Sequence, residues 1–223
     1  SKQPKITAQE LPQDQIGGIT PGQNSEHSLK VAAWDESSRH ILLKHDFLSG
    51  DKAVNEWLWV DRENQQKIVN ISFLTNLEIT DIKTARDGQM YILQSNGAVR
   101  LLTVDSGAIS RPLISQVTSF NSYQDNILSY NGTQADNRVV GVWRDGWTMP
   151  TIMQIKPNIE TSVSTHIAVS NYFYNDTVAI SNGSNVVVYS GKLPQTTHDK
   201  DTFIKEPFAT FTLSRPIEKL SIS

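Results

Sequence analysis

The stretch 29-LKVAAWDESSRHILLKHD-46 decides how this chain is read. An apolar run ends in a tryptophan, a short polar turn follows, and a second apolar run comes back. Asp and Ser side chains hydrogen-bond their own backbone and reverse the chain, so two β-prone runs joined this way predict an antiparallel hairpin. A polar segment, 47-FLSGDKAVN-55, leads to 56-EWLWVDREN-64 and then to 67-KIVNIS-72. Each run is rich in β-branched and aromatic residues, and together the four make one unit of short strands.

The unit recurs. Leu77–Lys83, Gln89–Gln94, Ala98–Ser106 and Ile109–Ile114 form a second set, and Val117–Tyr123, Asn126–Tyr130, Arg138–Arg144 and Thr151–Ile155 a third. A fourth is Ile167–Phe173, Thr177–Ser181, Asn185–Tyr189 and Pro207–Leu213. Successive units start roughly 40–50 residues apart, the spacing of propeller blades. Asp, Asn and Gly at the turns tolerate positive φ and close tight hairpins, so each unit reads as a meander. The second and third runs (ILLK, YILQ, NVVVY) are almost continuously apolar, which suits a small sheet covered on both faces. No stretch carries a sustained 3.6-residue stripe with caps. The expectation is an all-β β-propeller of about four four-stranded antiparallel blades, at residues 29–72, 77–114, 117–155 and 166–213 within 25–215.

The ends suggest part of a longer propeller. In the N-terminal segment 1–24, Lys5–Leu11 reads as the last strand of a preceding blade, and 216–223 as the first strand of a following one. Blade edges left open at the ends expose apolar surface, so pairing with another chain or a protein partner is expected.

Composition bounds the chemistry. The chain has 223 residues with a formal net charge of −3 and no cysteine. A nucleic-acid partner is not expected, because a phosphate-binding face needs clustered Lys and Arg. Disulfides, Cys-based metal sites and a Cys nucleophile are excluded. No apolar run approaches the ~18–20 residues of a membrane span. The chain begins at Ser1 rather than Met, which leaves room for a signal or anchor upstream.

The pattern Trp34-x-x-Ser37-x-Arg39-x-Ile41-Leu42 resembles the blade signature of TolB-like and WD-repeat-like β-propellers, and 84-TARDGQMYIL-93 looks like a second copy. The ending 101-LLTVDSG-107 is similar to their third strand. More narrowly, 41-ILLKHDFLSGDKAVNEWLWVDREN-64 resembles the extracytoplasmic propeller that follows a PEGA domain in bacterial cell-envelope proteins. That resemblance implies an extracytoplasmic location, with a membrane anchor and a PEGA module upstream, outside this chain. Two departures stand out: Asp35–Ser38 lacks the turn glycine, and the third and fourth units lack the tryptophan. Trp34 is expected to wedge between blades, since large aromatics dominate core burial.

Catalytic patterns are missing. Gly17, Gly18 and Gly22 match no nucleotide-binding spacing, and there is no G-x-S-x-G elbow. His40 and His45, five apart on one strand, point to opposite faces and cannot share a metal. Asp61, Glu63 and Asn64 lack the glycine and distal Glu of a calcium loop and read as a turn. Neither cofactor nor metal is expected, and the chain is read as a non-enzyme. Propellers bind through the longer loops of one face, here 46–55, 131–137 and 156–165. Phe47, Asp51, Lys52, Gln134, Asp136 and Glu160 are the candidate contacts on them. The long connection 191–206 reads as a flexible insertion at the rim. The expected function is a binding or scaffolding module. The alternatives are a propeller associated with an enzyme, gating a peptidase or processing sugars or polyphenols, and a cytosolic WD-repeat-like hub. The hub is disfavoured because Trp34-Asp35 ends a first strand, whereas WD repeats place that pair on a third.

Overall fold

The computed structural model describes residues 27–35, 37–49, 51–64, 67–124, 126–155, 165–172, 174–200, 202–203 and 206–222. The N-terminal segment 1–24, with its expected strand at 5–11, lies outside them.

Four four-stranded sheets account for the strands of these residues. Sheet 1 is β1 (His27–Trp34), β2 (His40–Ser49), β3 (Lys52–Asp61) and β4 (Ile68–Asn70). Sheet 2 is β5 (Ile79–Thr84), β6 (Gln89–Gln94), β7 (Val99–Thr103) and β8 (Ala108–Ile109). Sheet 3 is β9 (Val117–Tyr123), β10 (Ile127–Gln134), β11 (Asn137–Arg144) and β12 (Thr151–Ile152). Sheet 4 is β13 (Thr165–Tyr172), β14 (Asn175–Asn182), β15 (Asn185–Gly191) and β16 (Ala209–Thr212). Every sheet is an antiparallel meander in chain order, the blade of the β-propeller class. The chain divides into two compact units, 1–78 with 104–107, and 79–103 with 108–223.

In the first unit, sheet 1 buries Leu43, Leu58 and Val60 on one face, while Leu42, Trp57 and Trp59 are buried on the other. The strand expected to run to Ser72 stops at Asn70. There the Asn70 side chain accepts the Phe73 N–H at 3.2 Å and caps a short helix, α1 (Ile71–Thr75), which Asn76 ends at φ 50°. Trp34 is no wedge: it is 48% exposed, with the Arg62 guanidinium 5.4 Å above its ring. It ends β1, which among the described residues pairs on one side only, whereas Trp57 and Trp59 sit on an interior strand.

A polar strut joins three strands of sheet 1. Asp35 accepts the His40 backbone N–H at 2.9 Å and meets His40 Nδ1 at 2.8 Å, and the His40 ring stacks on Trp59 at 4.9 Å. Ser38, at φ 57°, takes a left-handed conformation that favours glycine. Arg39 donates through Nε and Nη2 to Asp61, whose Oδ1 also accepts the Glu63 and Asn64 N–H groups. Hydrogen bonds from Arg39 hold the Asp61 carboxyl well below the usual range, in a side chain only 2% exposed. A carboxyl pKa lowered by folding contributes stability above its unfolded value, about 3.9, and that contribution is lost as pH falls through the folded value. The urea midpoint is therefore expected to fall steeply between roughly pH 4 and 2. Asp61→Asn should be less stable at neutral pH and show a shallower acid decline; equal slopes in the two proteins would refute the assignment.

In the second unit the first strands of successive sheets are neighbours, β5 beside β9 and β9 beside β13. Tyr91, Leu93 and Val99 of sheet 2 pack with Phe120, Leu128, Tyr130 and Trp143 of sheet 3. Ile127, Val140 and Val142 of sheet 3 pack with Ile167, Val169, Val178 and Ile180 of sheet 4. Both inner strands β5 and β9 carry a one-residue bulge, at Thr80 and Thr118. Each bulged threonine donates its hydroxyl to the neighbouring strand, to Leu93 O at 3.1 Å and to Asn131 O at 3.2 Å. The shared bulge is the repeat made visible in backbone geometry.

Gly141 lies directly opposite Tyr130, and a Cβ there would overlap the phenol ring. Burial pushes the Tyr130 hydroxyl up to about 12. The connection expected to be a flexible insertion is packed where it is described. Leu193 and Phe203 are buried in the cluster between sheets 3 and 4, and the Leu193 N–H donates to Asp176 Oδ2 at 2.7 Å. Residues 216–222 form no strand. They lie over sheet 4, where the Ile217 N–H donates to Gly183 O at 3.0 Å and Ile217 packs on Ala179 and Val186.

Candidate functional site

In the segment 46–55, expected as a loop, residues 46–49 and 52–55 are strand. β2 runs to Ser49 and β3 starts at Lys52, with Phe47 opposite Val54, Leu48 opposite Ala53 and Ser49 opposite Lys52. The alternation in this stretch is real, and cross-strand pairing takes up the apolar residues that a loop would leave bare.

Where this hairpin meets β1, a cavity of about 680 Å³ is lined by Ser28, Asp46, Phe47, Leu48, Ala53, Val54 and Asn55. Ser28 stands opposite Asp46 and Asp46 opposite Asn55, so three polar side chains come from one row across β1, β2 and β3. Phe47, Leu48, Ala53 and Val54 supply the apolar lining. Leu48 is exposed and Phe47 is buried, its ring stacked on His45 at 4.9 Å. Lys44 lies 3.4 Å from Asp46 and 5.7 Å from the Trp57 ring, placing one cation beside the polar row.

Behind the apolar lining lies a buried polar trio that sequence reasoning missed. His45 Nδ1 meets Glu56 Oε1 at 2.8 Å, and Asn70 Nδ2 donates to Glu56 Oε2 at 2.6 Å. Both Glu56 oxygens are thus engaged by neighbours, and His45 and Glu56 are almost fully buried. The trio stiffens the floor of the hairpin; a carboxylate so enclosed is out of reach of a substrate. Among the described residues, no group of three or more His, Cys, Asp or Glu is placed to hold a metal ion. A group seated in this open depression would meet the apolar lining and the Ser28, Asp46 and Asn55 side chains.

Of the six candidate residues, Phe47 lines the cavity, and Asp51 and Lys52 form the exposed end of the same hairpin. Gln134 and Asp136 belong to a different one, the β10–β11 hairpin of the second unit. There the expected loop 131–137 is strand on both sides of a two-residue turn, Ala135 at φ 45° and Asp136 at φ 62°. Two residues with positive φ make the turn that suits the twist of paired strands. Glu160 lies outside the described residues. Ser28, Asp46 and Asn55 were invisible as a group, since only the register of three strands aligns them. The one available signal was the apolar–polar alternation on either side of Gly50-Asp51.

No protein-family model matches the sequence, and no curated protein matches it significantly. Among solved structures, the chain is similar to the N-terminal domain of Nup159, at 11% identity and a TM-score of 0.41, over 88% of this chain and 71% of that one. It is also similar to a chain of the S. cerevisiae complex of a Dbp5 variant bound to Nup159, a Gle1 variant, IP6 and ADP. That match has 12% identity and a TM-score of 0.41 over 79% of this chain, which spans 61% of that one. At this distance the likenesses carry no assignment, and the fold class rests on the four meander sheets.

Proposed function

We propose that this chain is a non-enzymatic binding module that holds a protein segment at the hairpin end of sheet 1, within a bacterial cell-envelope protein exposed outside the cytoplasm. The observation that carries the binding reading is the cavity, an apolar lining crossed by the Ser28–Asp46–Asn55 row. It suits an apolar anchor side chain whose flanking backbone amides meet the polar row. Edge strand β1 beside it leaves Leu29 and Val31 half-exposed on the face opposite the polar row, so a segment pairing along this edge would cover them. The envelope location rests on the resemblance of residues 41–64 to PEGA-associated propellers and on the Asn-, Ser- and Thr-rich surface.

The test fills the cavity mouth with charge. Leu48→Glu and Ala53→Glu both place a carboxylate at the lining on exposed positions, so the sheet is expected to fold as before. In pull-downs from an envelope fraction of the source cells, a protein retained by the wild type should be lost at least about tenfold in both variants, as for truncation of a central anchor. Partner profiles that do not change between wild type and variants would sink the cavity as the binding site. Recovery of the native protein from the soluble cytoplasmic fraction would sink the envelope location.

A further inference from the structure

Across the face of sheet 3 turned to sheet 4, the side chains change from apolar on β11 to polar on β10 and β9. Val140 and Val142 belong to the cluster with Ile167, Val169, Val178 and Ile180. Directly opposite them on β10 stand Asn131 and Ser129, and opposite those on β9 stand Ser119 and Asn121. Four polar side chains therefore form one block where β9 and β10 lie against β13.

Two atoms of this block lack partners. Ser129 is 0% exposed and Asn131 2%. Asn131 Nδ2 donates to Ser119 Oγ at 3.0 Å, which engages one end of the amide. Asn131 Oδ1 and Ser129 Oγ have no hydrogen-bond partner among the described residues. Turning the amide over would only move the deficit, since Nδ2 would then lack an acceptor. Nearly every buried polar side-chain atom in a folded protein has a partner, protein or water, because apolar surroundings return none of the hydration it gave up.

We propose that Ser129 and Asn131 bind an ordered internal water that bridges Ser129 Oγ and Asn131 Oδ1 and forms part of the seam between sheets 3 and 4. The chemistry of the two atoms selects this ligand. Asn131 Oδ1 needs a donor, and the Ser129 hydroxyl carries a proton that needs an acceptor. Water is both. A metal cation accepts no hydrogen bond and would leave the hydroxyl proton unpaired. Spacing agrees: alternate residues on one face of a strand lie about 6.7 Å apart at Cα. A water about 2.8 Å from each of two oxygens spans up to about 5.6 Å, so a small lean of the side chains closes the bridge. The Ser119 hydroxyl, which accepts from Asn131, can donate to the same water and complete the usual three bonds. The inference is independent of the cavity of sheet 1, and the pull-down above does not bear on it.

Oxygen-17 magnetic relaxation dispersion of the full 223-residue chain tests it by counting waters held longer than the protein takes to tumble. Ser129→Val replaces the hydroxyl with methyl groups and should lower that count by one; an unchanged count overturns the proposal. Ser129→Ala, measured by urea unfolding, reads the sign and decides even where the valine variant does not fold. With a water bound, removing one of its anchors should lower the folding equilibrium constant about fivefold. Were the hydroxyl dry and unpaired, its removal would relieve a cost. A Ser129→Ala protein as stable as the wild type, or more stable, therefore overturns the proposal as well. So does a melting temperature that rises when sodium replaces choline at constant ionic strength in the wild type but not in Ser129→Ala, which would put a cation at the pair.

Discussion

Glu56→Ala is expected to cost about 3–5 kcal/mol, because removing one partner of a buried charged or polar pair strands the other without solvent. Two groups lose an acceptor at once, His45 at Oε1 and Asn70 at Oε2. For a chain of this size that loss lowers the melting temperature by roughly 6–20 °C. Replacing both members with apolar residues, His45→Leu with Glu56→Leu, should recover most of it, since the surrounding sheet already buries Leu43 and Leu58 on that face. Urea unfolding of the three proteins measures the difference. A single variant as stable as the wild type would show that the trio holds nothing together. A double variant worse than either single change would show that its role is positional rather than electrostatic.

The tryptophans supply the second large effect. Trp59→Ala should destabilise by about 3–5 kcal/mol, the usual cost of emptying a large aromatic site. Trp59 is only 6% exposed and also loses its stacking with His40, which pins the strut from Asp35 to Asp61. Trp34→Ala should cost no more than about 1 kcal/mol, the scale of an exposed cation–π contact with Arg62. Differential scanning calorimetry of the pair reads the ranking directly. The reverse order, with Trp34 the costlier loss, would place Trp34 in a packed interface and overturn its half-exposed position.

That ranking also marks where sequence reasoning misled. A tryptophan closing an apolar run has the look of core, and by composition Trp34, Trp57 and Trp59 are alike. What separates them is the strand each belongs to: among the described residues β1 is paired on one side and β3 on both. Loops were misjudged for the same reason. Residues 46–55 and 131–137 carry enough Asn, Asp, Ser and Gly to suggest open chain, yet 46–49, 52–55, 131–134 and 137 are strand. Local composition reports the chance of a turn, whereas the length of a hairpin arm depends on whether a partner strand continues opposite it. The connection 191–206 looked mobile by length and charge. Leu193 and Phe203, two apolar residues among polar ones, are what anchor it.

The candidate site was legible only in pieces. Phe47, Asp51 and Lys52 fall on one hairpin because they are close in sequence, and Gln134 and Asp136 share another for the same reason. Ser28 comes to Asp46 across 18 positions through the β1–β2 register, and Glu56 comes to Asn70 across the sheet. Nothing in either neighbourhood announces the meeting.

By itself the sequence determined the all-β class, the four meander units and their turn chemistry, because these follow from period-two patterning and from residues that tolerate reversal within a few positions. Tertiary structure alone decided which tryptophans are buried, where strands end, and which polar side chains converge at the cavity. Each of those depends on what lies across a strand rather than along it, and the free energy of burial or pairing belongs to both partners at once.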